Sequence, residues 1–348
     1  MPQVTPIHTK KPIHLALQGG GSHGAFTWGV LDYLLEDGRL QIQAISGTSA
    51  GALNASVMAA DYVEGNIDAA RASLESLWRS MSQYGVFSPY NFSGVSPFFY
   101  QWGNALSWFQ SFFNISPYQN TGVNTHFLDD LLRQHVDFDR LNYGCSGIRL
   151  FVSATNVLTN RLRIFSSDEL SIDVLLASSC LPKVHKAVEI SGEYFWDGGF
   201  MGNPVLEPLT KDRGAEDIMI VQVNPLHIQQ VPTSPMEIAE RMETIGFNAT
   251  LSREIRHVAQ MERLIESGEI KASSVFGKFL HLLHNEEQMS RYSAFTKYDT
   301  SWAFLTQLRD LGRETAKDWM DKHYDNIGTK NTLNLEEWEP VYHQPECK

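Results

Sequence analysis

Residues 44–55 read AISGTSAGALNA. The apolar pattern of residues 41–46, QIQAIS, predicts a buried strand. It runs into Gly47-Thr48-Ser49-Ala50-Gly51, and small residues continue behind it as a helix. G-x-S-x-G between a strand and a helix is the pattern of a nucleophile elbow. A chain that reverses this sharply brings its own backbone together on both sides of the apex, where Gly47 and Gly51 leave out the colliding Cβ. Ser49 stands at the apex with the helix N-terminus beneath it, a position that stabilises negative charge. Five-residue matches of this kind also occur in ordinary Gly-Ser turns. The strand, turn and helix in that order distinguish this one.

Upstream, LALQGGGSHGAF spans residues 15–26. Residues 13–18 predict another short strand. Residues 24–36 predict a helix with Phe26, Val30, Tyr33 and Leu34 on one face, stopped by Gly38. Gly19, Gly21 and Gly24 fit the G-x-G-x-x-G of dinucleotide-binding loops. That reading requires an acidic residue at the end of the second strand to hold a ribose. Here the second strand ends in the serine elbow, and Asp37 precedes the strand, so the fingerprint fails. Consecutive glycines after a strand also present several backbone N–H groups to one point, a nest for an anion. Ester cleavage by a serine generates an oxyanion that needs such donors. A plain tight turn is the simpler alternative.

A nucleophilic serine needs a base. Asp197-Gly198-Gly199 lies in EYFWDGGFMGNP, residues 193–204, preceded by Tyr194, Phe195 and Trp196. Apolar surroundings raise a carboxyl pKa and make the group a better base. The local pattern fits an Asp-Gly hairpin turn equally well. Histidines that could complete a Ser-Asp-His triad are His227, His257, His281, His284 and His323. His227 follows a strand in VNPLHIQQ, and the other four fall in charged helical stretches.

Bulk properties frame these motifs. The chain has 348 residues, 43% hydrophobic and 20% charged, with a formal net charge of −12. It has ample material for a core, and the charge argues against a nucleic-acid groove. Cys145, Cys180 and Cys347 are too few and too irregularly spaced for a disulfide scaffold or a cysteine zinc site, which suits a reducing compartment. The N-terminus lacks a signal-peptide pattern, and no run approaches the ~20 apolar residues that span a bilayer. A cytoplasmic protein, or one peripheral at membranes, is the expectation, and export by a route that needs no N-terminal signal stays open.

Further core strands are expected at residues 148–155 and 218–223, and charged helices from residue 235 to about 326. The segments are a flexible N-terminus 1–12, a core 13–224, a C-terminal helical region 225–326 packed on the core, and a polar tail 327–348. Within the core, residues 84–118 are dense in aromatics from Tyr84 to Tyr118 and nearly free of charge. They read as an insertion, either a lid or acyl-binding wall, or a subdomain core or dimer interface.

The motifs Gly19-Gly20-Gly21-Ser22-His23-Gly24, Gly47-Thr48-Ser49-Ala50-Gly51 and Asp197-Gly198-Gly199, in this order, resemble the patatin-like phospholipase family. So do SATN at 153–156, ASSCLP at 177–182 and GNP at 202–204. The resemblance implies an α/β fold: three α/β/α layers around a mainly parallel sheet, with the aromatic insertion and C-terminal helices added. It implies a Ser-Asp dyad with Ser49 as nucleophile and Asp197 as base. Gly19, Gly20 and Gly21 would form the oxyanion hole, supported by Gly24, Gly47, Gly51, Gly198 and Gly199. The implied activity is phospholipase A or lysophospholipase cleavage of lipid esters through an acyl-enzyme, with no metal or cofactor. The expected partners are a lipid or phospholipid substrate and, transiently, a membrane surface; homodimerisation stays open and nucleic acid is not expected. An acyltransferase, a non-phospholipid esterase and a non-catalytic lipid-binding regulator remain alternatives. The sequence departs from the family at His23, where members often carry Arg or Lys. A neutral imidazole would tune the loop less than a fixed cation, and in a pH-dependent way.

Overall fold

The computed structural model describes residues 10–85, 116–119, 127–142, 147–271 and 278–338. Most of the 84–118 insertion, together with Cys145, Cys347 and both chain ends, lies outside the described residues.

Strand β1 (Lys11–Leu17) leads through the glycine loop into helix α1 (Gly24–Asp37). Gly38 ends the helix in the left-handed region at φ 70°, its N–H donating to the Leu34 carbonyl. Strand β2 (Leu40–Gly47) then enters the elbow, and α2 (Ala50–Asp61) and α3 (Ile67–Gly85) follow. Next come α4 (Phe127–His135), α5 (Phe138–Asn142), β3 (Arg149–Asn156) and β4 (Arg161–Ser166). The chain continues through α6 (Ile172–Ser178), β5 (Val188–Ile190), β6 (Glu193–Asp197), α7 (Glu207–Lys211) and β7 (Asp217–Val221). It closes with α8 (Pro235–Glu266), β8 (Phe279–Leu283), α9 (Glu286–Met289) and α10 (Trp302–His323).

Eight strands form one sheet in the order β5-β6-β3-β2-β1-β7-β8, with β4 also paired to β3. β3, β2, β1, β7 and β8 run parallel, and the β4, β5 and β6 pairings are antiparallel. Alternate residues of each central strand feed two separate cores. Ile13, Leu15 and Leu17 of β1 join Met219 and Val221 of β7 under α1, α2, α3 and α10. Ala16 joins Ile218, Ile220 and Leu280 against Leu209 of α7 and Leu251, Ile255 and Val258 of α8. Helices cover both faces of a mainly parallel sheet, and the fold is three-layer α/β/α.

Two features differ from the sequence reading. The α1 pattern predicts one apolar face, yet Ala25, Thr27, Trp28, Gly29 and Leu31 are buried as well. The cause is α10, which lies across the outer side of α1, with Trp302 beside Trp28 at 5.9 Å between ring centroids and Trp78 stacked on the same indole. An arginine seam edges this layer: Arg71 of α3 and Arg313 of α10 both pair with Asp32 and Glu36 of α1. The C-terminal region also contributes a strand, β8, parallel to β7. The start of the tail is tied to that strand, since Asn331 Oδ1 accepts from Leu280 N–H at 2.6 Å and Ile327 and Leu333 are buried.

The α1–α10 crossing depends on two glycines. A Cβ on Gly29 would run into the Arg309 carbonyl, and one on Gly312 into that of Phe26. Backbone cannot yield as a side-chain tip does, so Gly29→Ala and Gly312→Ala are each expected to lower stability by about 1–3 kcal/mol or more in urea unfolding. Gly246→Ala, in α8 with open space around its Cβ, is expected to be neutral or stabilising by up to ~1 kcal/mol.

Candidate active site

The register of β3 brings the elbow to Asp197. Residues Phe151 and Val152 pair with Ser46 and Gly47 of β2 on one edge and with β4 on the other. Residues 154–156 pair with β4 and with β6, Ala154 opposite Asp197. β2 and β6 therefore occupy the same edge of β3, one after the other. β2 leaves it at Val152, and β6 takes it over at Ala154. The elbow at the end of β2 and the carboxylate at the end of β6 meet over the residue between them, Ser153. Its hydroxyl bonds Thr48 Oγ1 at 2.7 Å, and both hydroxyls reach the Gly202 carbonyl, at 3.1 Å and 2.8 Å.

Ser49 holds φ 52° and ψ −125°, a left-handed conformation that a serine adopts only where surrounding contacts enforce it. Gly51 is pressed against the Leu17 carbonyl, and Gly47 against the backbone of Ala52, 2.8 Å from where its Cβ would stand. The Ser49 N–H donates to Ser178 Oγ at 2.9 Å, a partner from the end of α6. Ser49 itself is buried, with 9% of its surface exposed.

Asp197 is completely buried. Its own N–H donates to the Cys180 carbonyl, and its carbonyl accepts from Thr155 Oγ1, each at 2.8 Å. Oδ1 accepts from Gly199 N–H at 2.7 Å, while Oδ2 has no hydrogen-bond partner among the described residues. Burial pushes the carboxyl pKa up to about 7. The Gly199 N–H, the neighbouring Ser49 hydroxyl and the charge of Lys297 act against that rise, and Glu243 adds to it. The adjacent Cys180 thiol is pushed up to about 12, by burial first and then by Asp197, and stays protonated.

The glycine loop is held by amides that the sequence pattern does not single out. Asn203 Oδ1 accepts the Gly19 N–H at 2.7 Å, and Asn224 Nδ2 donates to the Gly19 carbonyl at 2.7 Å. Gln18 Oε1 accepts from Val223 and Asn224 N–H, and its Nε2 donates to Asn248 Oδ1. The Gly19 N–H is thus already engaged by Asn203. Gly24 lies against the elbow, where an added Cβ would stand 2.6 Å from Ala50 Cβ. Asn54 Nδ2 bonds the Gly24 and Ala50 carbonyls at 3.0 Å each. Gly199 is covered by Phe247 of α8, and Gly198 packs on the Ser153 carbonyl.

His23 is buried at the start of α1. Thr296 Oγ1 donates to the Ser293 carbonyl, so His23 Nε2–H donates to Thr296 at 2.7 Å, and Nδ1 is buried with no partner among the described residues. Protonating Nδ1 would strand an N–H in an apolar pocket. Burial pushes the imidazole pKa down to about 3, with Lys297 adding to the effect. Near neutral pH residue 23 therefore carries no charge. His227 is an exposed surface side chain beside Glu286, and His281 is buried between Asp217 and Thr332 on β8. His257 and His284 are exposed. No cluster of three or more potential metal ligands occurs among the described residues.

Comparison with known proteins agrees with the motif order. A family model, patatin-like phospholipase, matches residues 15–210. The lysophospholipase NTE1 of Candida glabrata is 26% identical over 267 residues, which cover 72% of this chain and 13% of that protein. The chain thus spans about an eighth of that relative's length. Among solved structures, VipD from Legionella pneumophila is similar over 88% of this chain and 67% of its own, at 17% identity and TM-score 0.37. ExoU in its complex with SpcU from Pseudomonas aeruginosa is similar over 91% and 61%, at 17% identity and TM-score 0.31.

The electrostatics can be read directly. In protein carrying 13C at aspartate carboxyls and 15N in histidine rings, Asp197 is expected to titrate near pH 7, and His23 to remain neutral from pH 5 upward. An Asp197 midpoint near 4 would mean that water reaches the carboxyl.

Proposed function

The chain belongs to the patatin-like phospholipase family, and from that premise we propose that it is a serine lipid acyl hydrolase acting through Ser49 and Asp197. The observation that carries the reading is a strained serine beside a fully buried carboxyl whose Oδ2 has no hydrogen-bond partner among the described residues.

Asp197 Oδ2 takes the hydroxyl proton as Ser49 Oγ bonds to the acyl carbonyl carbon. The carbonyl oxygen becomes an oxyanion, held by the N–H groups of Gly20 and Gly21. The carbon–oxygen bond to the leaving alcohol breaks, the alcohol carries off the proton from Asp197, and acyl-Ser49 remains. Water then adds to the acyl carbon, giving its proton to Asp197. Collapse releases the fatty acid and returns the proton to Ser49. The Gly199 N–H on Oδ1 fixes the carboxyl plane so that Oδ2 is the proton acceptor.

Residues 13–224 carry the reacting groups on this reading, and 225–326 close over them. A lipid surface is the proposed partner. Phe200, three residues from Asp197, is 43% exposed and packs on Phe247 at 5.3 Å between ring centroids. Ile238, Met242 and Ile245 form an exposed apolar stripe on α8. No helix among the described residues is long and apolar enough to cross a membrane. Such a stripe suits shallow contact with acyl chains.

Mass-spectrometric profiling of a mixed lipid extract is expected to show free fatty acid and the matching deacylated lipid. Ser49→Ala should lower that turnover about ten-thousandfold or more. Acyl groups found on an added alcohol instead of water would make the protein a transferase, and no Ser49-dependent product would leave a lipid-binding regulator. Because Asp197 accepts a proton only as the carboxylate, fluorophosphonate labelling of Ser49 should rise as pH passes 7. The rate at pH 8 is expected to be about tenfold that at pH 6.

A further inference from the structure

The glycine loop is capped by a short helical turn, Ala294–Tyr298, contributed from far along the chain. Gly21, at φ 58°, has the Lys297 carbonyl 2.5 Å and Lys297 Cβ 3.3 Å from where its own Cβ would stand. His23 bonds the neighbouring Thr296 at 2.7 Å. The Lys297 side chain extends from there over the Phe247 ring, with Nζ 5.7 Å from the centroid. Phe247 lies on Gly199, whose N–H holds Asp197 Oδ1. The half-buried Lys297 therefore stands at the junction of the glycine loop, the Asp197 turn and α8.

We propose that Lys297 is a positioning residue of this active site, whose ammonium keeps Asp197 in its proton-accepting form beside a neutral His23. The proposal rests on the reading of Asp197 as the base. It also assigns a function to the region after residue 235: the core motifs supply nucleophile, base and donors, and the later chain supplies the cation.

The surrounding charges agree. Lys297 lowers the Asp197 pKa, against burial and Glu243. The other groups facing Asp197 are the neutral Ser49 hydroxyl and the protonated Cys180 thiol. The Lys297 pKa is lowered, by burial first, with Glu243 and Glu240 of α8 and Asp197 opposing that shift. His23 is uncharged beside it. The ring face of Phe247 also favours the charged ammonium.

The test is the pH profile of serine labelling by a fluorophosphonate in the full chain. Lys297→Met is expected to move the midpoint upward by about one unit, slowing labelling severalfold at pH 6 and leaving the plateau above pH 9 near wild type. Lys297→Arg should restore the midpoint. Thr296→Val, which loosens the same turn without removing charge, should leave it unmoved. Glu243→Gln, a half-buried change that spares the fold, should shift the midpoint downward. An unmoved midpoint in Lys297→Met, whatever happens to the plateau, overturns the proposal. If Lys297→Met does not fold, Lys297→Gln is read in its place, and an unmoved midpoint there overturns the proposal. Undiminished labelling in Asp197→Asn would instead overturn the reading of Asp197 as base.

Discussion

One edge of β3 is shared by two strands in succession, and the site depends on that sharing. β2 runs parallel to β3 and must leave the edge at Val152, because its next residues turn into α2. β6 approaches antiparallel and must stop at Ala154, because Gly198 folds back onto the Ser153 carbonyl. The gap is one residue long. It is filled by the hydroxyls of Ser153 and Thr48, which bond each other and the Gly202 carbonyl. A strand end that overran by one residue would collide with the elbow, and one that fell short would leave Asp197 outside its reach.

Burial then determines the chemistry. The same exclusion of water acts in opposite senses on an acid and a base. It lifts Asp197 towards the pH at which a carboxyl can both take and return a proton, and it suppresses the charge of His23. The protein carries a formal charge of −12, yet the field that matters here comes from a few side chains at short range. Lys297 and Glu243 act on Asp197 with opposite signs, from a turn and a helix that both lie outside the core motifs.

Sequence legibility followed the range of the interactions. The elbow, the glycine loop and the Asp-Gly-Gly turn could be read because each is a local backbone demand met by glycines at fixed spacing. The strands at 13–18, 41–46, 148–155 and 218–223 were readable from their apolar runs and match β1, β2, β3 and β7. The all-round burial of α1 was not legible, since it depends on α10, whose Arg313 meets Glu36 of α1 from 277 residues away. Gln18, Asn224, Asn248 and Lys297 gave no local signal, because their partners lie far away in the chain. Asn203 stood in a quoted motif, but its bond to the Gly19 N–H joins residues 184 apart in the chain and forms only on folding. On the proposed mechanism, that bond leaves the oxyanion to Gly20 and Gly21.

The most direct test of this geometry is a crystal structure of the protein after reaction with a lipid-like fluorophosphonate. The account predicts phosphorus bonded to Ser49 Oγ, with the phosphoryl oxygen about 2.7–3.1 Å from the N–H groups of Gly20 and Gly21 and Gly19 still bonded to Asn203. An adduct on another residue, or a phosphoryl oxygen directed away from the glycine loop, would contradict it.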